Sequence, residues 1–129
     1  MPRCANRRSS GFTLIELLVV LAIVSTLLLL VAPRYFQRVD VAQEAVLRDN
    51  LRTLRQVLDN FHGDHGRFPE SLQELVDKRY VRSLPVDPLT GSTETWTLLP
   101  PPEGLKGAVY DLRSGATGAA KDGSLYADW

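Results

Sequence analysis

The hydrophobic and polar positions divide the chain into two parts with different periodicity. From Phe12 to Ala32 the residues are predominantly apolar, and Glu16 is the only charge. A helix rises about 1.5 Å per residue, so this segment would span roughly 30 Å, the thickness of a bilayer's hydrocarbon core. The pattern therefore predicts a membrane-spanning helix over residues 12–32.

Beyond Pro33, apolar residues recur at three- and four-residue steps, which is typical of an amphipathic helix. They are Val39, Ala42, Val46, Leu47, Leu51, Leu54, Leu58 and Phe61. The opposite face, predicted to be solvated, carries Arg48, Asp49, Arg52, Arg55, Gln56 and Asp59. We expect one long helix to about His62, ended by Gly63 and Gly66, with a kink or break at Pro33.

The rest of the chain predicts smaller elements. Leu72, Leu75 and Val76 have helical spacing, and Pro69 is placed to start a short helix there. Residues 95–99 and 108–112 read as two short strands. The expected fold class is α+β: a long N-terminal helix, a short helix and a small antiparallel sheet of two or three strands. Nothing separates a second globular domain.

The distribution of charge predicts how the membrane span is oriented, and the cysteine content limits disulfide formation. The net charge is zero, which gives no argument for binding nucleic acid. Arg3, Arg7 and Arg8 precede the apolar segment, and such residues hold the adjoining end of a span in the cytoplasm. The chain from about residue 34 is then expected on the other side. Cys4 is the single cysteine, so a mature chain without this leader would have no disulfide.

The residues ahead of the span differ from an ordinary secretory signal. Such a signal has an apolar stretch of about 7–15 residues followed by a small-residue cleavage site. Here the small residues Ser9, Ser10 and Gly11 precede a longer apolar run. A cut after them would leave the anchor attached to the protein. A lipid anchor on Cys4 is disfavoured because the apolar run follows the cysteine.

Residues 7–16, Arg-Arg-Ser-Ser-Gly-Phe-Thr-Leu-Ile-Glu, resemble the prepilin peptidase recognition motif of type IV pilins and type II secretion pseudopilins. The resemblance implies cleavage between Gly11 and Phe12 and N-methylation of Phe12. It further implies a leader over residues 1–11, a transmembrane and filament-core helix over 12–32, and a periplasmic globular domain over 33–129. The fold it implies is the α+β fold of type IV pilins.

Glu16 is the fifth residue of the implied mature chain. A carboxylate within a membrane span costs roughly 2.5–3.5 kcal/mol at the centre and less near an end, so it usually has a partner. In a filament of parallel anchors, the ammonium of Phe12 in one subunit can approach Glu16 of its neighbour. The alternative is that Glu16 extends to the membrane interface and has no role in assembly.

Two later segments are similar to those of the G-type pseudopilins: Gly66-Arg67-Phe68-Pro69 and Leu84-Pro85-Val86-Asp87-Pro88. The resemblance implies a structural subunit of a secretion pseudopilus that is anchored in the bacterial inner membrane. Its expected partners are prepilin peptidase, membrane lipid, copies of itself, other pseudopilins and the inner-membrane assembly platform. The alternative is a type IV pilin or minor pilin for adhesion, motility or DNA uptake. No enzyme motif is found, and we expect no catalytic activity.

The resemblance also implies a calcium ion in the C-terminal loop, with Asp122 and Asp128 as candidate ligands. Calcium takes about six to eight oxygen ligands, so carbonyls and water would have to supply most of them. In the alternative interpretation, Tyr126 and Trp129 hold the tail to the core while Asp122-Gly123 forms a turn. No other cofactor is expected, because His62 and His65 are too few for a zinc site.

Overall fold

The computed structural model describes residues 1–2 and 10–129. It contains helix α1 (Leu14–His65), helix α2 (Leu72–Asp77), strands β1 (Thr97–Leu99) and β2 (Asp111–Arg113), and a 3₁₀ helix (Tyr126–Asp128). This order confirms the predicted α+β class. Cys4 and the arginines Arg3, Arg7 and Arg8, from which the membrane orientation was predicted, lie outside the described residues.

Contacts divide the chain into two compact units, residues 1–38 and 39–129. In the first unit, the apolar side chains of α1 are exposed from Leu14 to Phe36. By length and composition, α1 could cross a membrane. Pro33 lies inside this helix, so the predicted break at the proline is not observed. A proline ring removes one hydrogen bond without ending every helix, and a bend at Pro33 stays a prediction.

The second unit has a core built on one stripe of α1. Buried stripe residues follow alternate four- and three-residue steps and pack against side chains from the rest of the unit. From α1 they are Leu47, Leu51, Leu54, Leu58 and Phe61, and their main partners are Leu72, Leu75, Trp96, Val109 and Leu112. Val46 and Ala42 were predicted on the packed face of this helix, and that prediction was wrong: Val46 is 50% exposed and Ala42 is also exposed. Both lie about 100° or more around the helix from Leu47.

Helix α1 ends later than predicted. Gly63 is helical, and the end is at Gly66, which has φ +69° and donates its N–H to the carbonyl of His62 at 2.8 Å. A glycine in the left-handed region is a common helix terminator because it has no Cβ to clash. Phe68, which follows this turn, stacks on the imidazole of His62, with ring centroids 4.3 Å apart.

Ser71 is the N-cap of helix α2, and its hydroxyl accepts a hydrogen bond from the Glu74 N–H at 3.3 Å. The prediction that Pro69 starts this helix was therefore wrong. The Pro69 carbonyl instead accepts hydrogen bonds from the N–H groups of Ala108 and Val109, at 3.1 and 2.9 Å. These contacts hold the loop before α2 against the segment that leads into β2.

The sheet has two antiparallel strands within the described residues, and Leu98 is paired with Leu112. Both strands differ from the predicted spans. Residues 108 and 109 donate to Pro69 instead of a strand partner; Tyr110 is the first to donate to β1, at the Leu99 carbonyl, and β2 starts at Asp111. Trp96 precedes β1, and its indole N–H donates to the carbonyl of Pro85 at 3.1 Å. The sheet contributes Leu112 to the same core as the leucine stripe of α1.

Candidate functional site

The peptide bond between Gly11 and Phe12 lies in exposed, non-helical chain just ahead of α1. Phe12 is 86% exposed. A Cβ on Gly11 would meet nothing within 4 Å, and the φ of this glycine is not in the left-handed region. The fold therefore has no requirement for glycine at residue 11. Any requirement there must come from a molecule that recognises this segment.

The first turn of α1 is closed by a reciprocal pair of hydrogen bonds between Thr13 and Glu16. The Glu16 N–H donates to the Thr13 hydroxyl at 3.2 Å, and the Thr13 N–H donates to Oε2 of Glu16 at 3.3 Å. This arrangement is a capping box, which satisfies two N–H groups that the helix leaves unpaired. The helix dipole also favours an acid in this turn. This role was not predicted, although the Thr-x-x-Glu spacing indicates it.

Glu16 remains exposed while it makes this contact. An ionised carboxylate has about four acceptor positions, so the bond to Thr13 leaves acceptor capacity for a further donor. The geometry thus permits Glu16 to cap its own helix and to accept a cation from another molecule at the same time.

The C-terminal candidate site lies in the second unit. Lys121 N–H and the Tyr126 hydroxyl both donate to Oε1 of Glu44 on α1, at 3.1 and 3.0 Å. Burial and then the hydrogen bond to Glu44 raise the pKa of Tyr126. Arg48, one helical turn later, contacts Oδ2 of Asp122 at 3.2 Å and lies over the Trp129 ring, 4.2 Å from its centroid.

Arg55, predicted on the solvated face of α1, is half-buried. Its Nε donates to Oδ1 of Asp111 at 2.8 Å, and its guanidinium also donates to the main-chain oxygens of Leu112 and Trp129. It therefore joins α1 to both β2 and the chain end. The contacts of Glu44 and Arg55 with the tail were not predicted, because only the fold brings residues so far apart in sequence together.

The two predicted calcium ligands are not arranged around a common point with other acids. Oδ1 of Asp122 accepts the N–H and the hydroxyl of Ser124, at 2.9 and 2.6 Å, and Oδ2 accepts Arg48. The Ser124 bonds, with a smaller effect of Arg48, lower the pKa of Asp122. Asp128 is exposed in the 3₁₀ helix. Among residues 1–2 and 10–129, no group of three or more His, Cys, Asp or Glu could hold a metal ion.

The N-terminal segment matches a known family. Residues 6–32 match the family model described as the prokaryotic N-terminal methylation motif, which includes Gly11, Phe12 and Glu16. With a long N-terminal helix and a small antiparallel sheet, the chain has the α+β arrangement of the type IV pilin class. Within this class, the chain belongs to the family of the type II secretion system core protein G.

The alignments with individual relatives cover different shares of the chain. The chain is 34% identical over 99 residues to the core protein G of Pseudomonas aeruginosa, covering 64% of this chain and 70% of the relative. It is 30% identical over 141 aligned positions to that of Klebsiella michiganensis, covering 95% and 96%. It is also 33% identical over 72 residues to the competence protein ComGC of Halalkalibacterium halodurans, covering 56% and 71%. No solved structure matches the chain significantly.

Proposed function

We propose that this chain is a structural subunit of a type II secretion pseudopilus, anchored in the inner membrane and assembled from there to help export folded proteins. The observation that carries the proposal is the surface of α1 in the first unit. Its large apolar side chains from Leu14 to Phe36 are between 46% and 78% exposed. Apolar surface of this extent needs lipid or other apolar helices around it.

Lipid and a bundle of identical helices are both apolar environments, so the same surface suits a stored subunit and an assembled one. The orientation we propose, with the N-terminus in the cytoplasm and the second unit in the periplasm, rests on the arginines ahead of the span in the sequence. Prepilin peptidase removes residues 1–11 and methylates Phe12. The partners are further copies of the chain, other pseudopilins and the membrane assembly platform. The role is structural, and no residue is assigned to catalysis.

Processing is tested by co-expression with a prepilin peptidase and intact-mass measurement. The wild-type chain should lose residues 1–11 and gain one methyl group. Gly11→Val should remain full length, although its fold is unchanged because the site has open space around the added side chain. An unprocessed wild-type chain in a cell with an active peptidase would contradict the proposal.

A second candidate function is a pilin for DNA uptake, favoured by the similarity to a competence protein. The two functions are separated by deleting the gene in the native host. The secretion proposal expects exported proteins to accumulate in the periplasm, with transformation unaffected. Loss of transformation with normal secretion would favour the second candidate.

A further inference from the structure

We propose that residues 119–129, the tail segment, are held to α1 by three side chains, Glu44, Arg48 and Arg55, in place of a calcium ion. We call these three residues the tail clasp. They lie at steps of four and seven along α1, which places them within about 40° of one another around the helix. This proposal concerns the folding of the second unit and does not depend on the proposed role in secretion.

The tail segment presents a complementary surface to this face of α1. It forms a small loop in which Ala119 is bridged to Leu125 and the Ala120 N–H donates to the Ser124 carbonyl at 2.7 Å. Gly123, with φ +86°, forms the turn between them. The rings of Tyr126 and Trp129 meet edge to face at 5.2 Å and lie beside the leucine stripe. These contacts agree with the interpretation in which Tyr126 and Trp129 hold the tail to the core and Asp122-Gly123 forms a turn.

Together the three members of the tail clasp contact the loop along its length. Glu44 accepts the Lys121 N–H at the entry of the loop and the Tyr126 hydroxyl near its end. Arg48 covers the Trp129 ring and pairs with the turn residue Asp122. Arg55 contacts the main-chain oxygen of Trp129. The entry, the turn and the end of the loop are thus all connected to one helix.

The same contacts make the loop unsuitable for calcium. Asp122 already accepts three hydrogen bonds, from two groups of Ser124 and from Arg48. The Ser124 hydroxyl in turn accepts the Trp129 indole N–H at 2.7 Å. A guanidinium at 3.2 Å from the carboxylate supplies the positive charge that a cation would supply, and it would repel that cation. Calcium takes about six to eight oxygen ligands, and among the described residues no third acid or histidine joins Asp122 and Asp128 to begin such a set.

The metal dependence is tested on the full-length chain in detergent micelles. Thermal unfolding is followed by tryptophan fluorescence after treatment with EDTA and then across a calcium titration into the millimolar range. The proposal expects the same Tm throughout. A saturable rise of Tm with calcium that Asp122→Asn abolishes would overturn it.

The clasp itself is tested with Arg48→Gln, and Arg52→Gln serves as the matched control. Arg52 is an exposed arginine one turn along the same helix, and within the described part of the chain it forms no hydrogen bond, ion pair or cation–π contact with the tail segment. Arg48→Gln should lower Tm by roughly 3–8 °C, since it removes both the stacking on Trp129 and the ion pair. It should also increase quenching of Trp129 by acrylamide, while Trp96, which is buried, stays protected. Equal Tm and quenching in the two variants would overturn the clasp.

Discussion

At the start of α1, the carboxylate of Glu16 accepts a hydrogen bond from its own chain and stays exposed, so the capping contact and the proposed pairing with another subunit are two separate roles. These two functions can be separated because glutamine is able to replace glutamate in a capping box, whereas alanine is not. Glutamine preserves the hydrogen bond to Thr13 but removes the charge that would attract the ammonium of Phe12.

We therefore predict that Glu16→Gln and Glu16→Ala both insert into the membrane and are both processed, and that neither joins filaments. The measurement is the yield of sheared filaments, with membrane fractionation as the control for insertion. Thr13→Ala is the matched variant, since it weakens the cap by about 1 kcal/mol and leaves the charge. It should still assemble. Normal filaments from Glu16→Gln would show that the cap, not the charge, is what Glu16 contributes.

A second residue with an unexpected environment is Asp87, whose side chain is fully buried. Its Oδ2 accepts the Ser114 hydroxyl, and its Oδ1 accepts the Leu89 N–H at 2.9 Å. The Leu-Pro-x-Asp-Pro segment was identified only as a resemblance in the sequence. The structure gives the aspartate a physical role, since it connects the loop before β1 to the residue that follows β2.

Asp87→Ala should reduce the free energy of unfolding by about 2 kcal/mol, because the buried Ser114 hydroxyl and the partly buried Leu89 N–H lose their acceptor. Asp87→Asn should cost less, because its amide oxygen can still accept one of these donors and its amide nitrogen can donate to Ser114. The measurement is chemical denaturation of the full-length chain in detergent, with Asp59→Ala, an exposed acid on α1, as the control. An equal effect of Asp87→Ala and Asp59→Ala would contradict this role.

At the scale of the elements, helix α2 is held by an ion pair at its start. Arg67 and Glu74 are 2.6 Å apart at their closest atoms, and Glu74 also accepts the Glu70 N–H at 2.8 Å. The hydrogen bond from Arg67 is the main reason that the pKa of Glu74 is lowered from about 4.5 to about 2. The folded state therefore favours the ionised carboxylate more strongly than the unfolded state does.

A lowered folded-state pKa contributes stability that is present above the unfolded value and lost as the pH falls through the folded value. We thus predict that wild type has a higher Tm than Glu74→Gln at neutral pH, and that this difference shrinks from about pH 4.5 towards pH 2. Glu103→Gln, an exposed acid in the loop between the strands, should show no such difference. A Tm difference for Glu74→Gln that is independent of pH would be evidence against the ion pair.

The elements also show how far periodicity can predict this fold. The leucine stripe from Leu47 to Phe61 and the apolar span were predicted because a helix repeats its own face along the sequence. The boundaries of β1 and β2 were not predicted; for β2, Ala108 and Val109 lie within the predicted strand but donate their N–H groups to the Pro69 carbonyl. That contact joins residues distant in sequence. The contacts of Glu44 and Arg55 with the tail escaped prediction for the same reason.

At the scale of the whole molecule, the two units differ in how their apolar surface is covered. The hydrophobic core consists of residues from Leu47 onward, and no residue of the described part of 1–38 contributes to it. The exposed apolar side chains of α1, by contrast, concentrate between Leu14 and Phe36. The surface that requires lipid or neighbouring helices is therefore separate in sequence from the core that folds the second unit.

We predict that a fragment of residues 39–129 is soluble without detergent and unfolds cooperatively, whereas the full-length chain requires detergent. Leu54→Ala in this fragment should cost about 2–5 kcal/mol, since it leaves a cavity in the core. Val46→Ala, eight positions earlier and half exposed, should cost far less. Circular dichroism during thermal unfolding provides both measurements. If the fragment aggregated or melted without a cooperative transition, then residues 1–38 would be needed for folding, and the core assigned to the second unit alone would be incomplete.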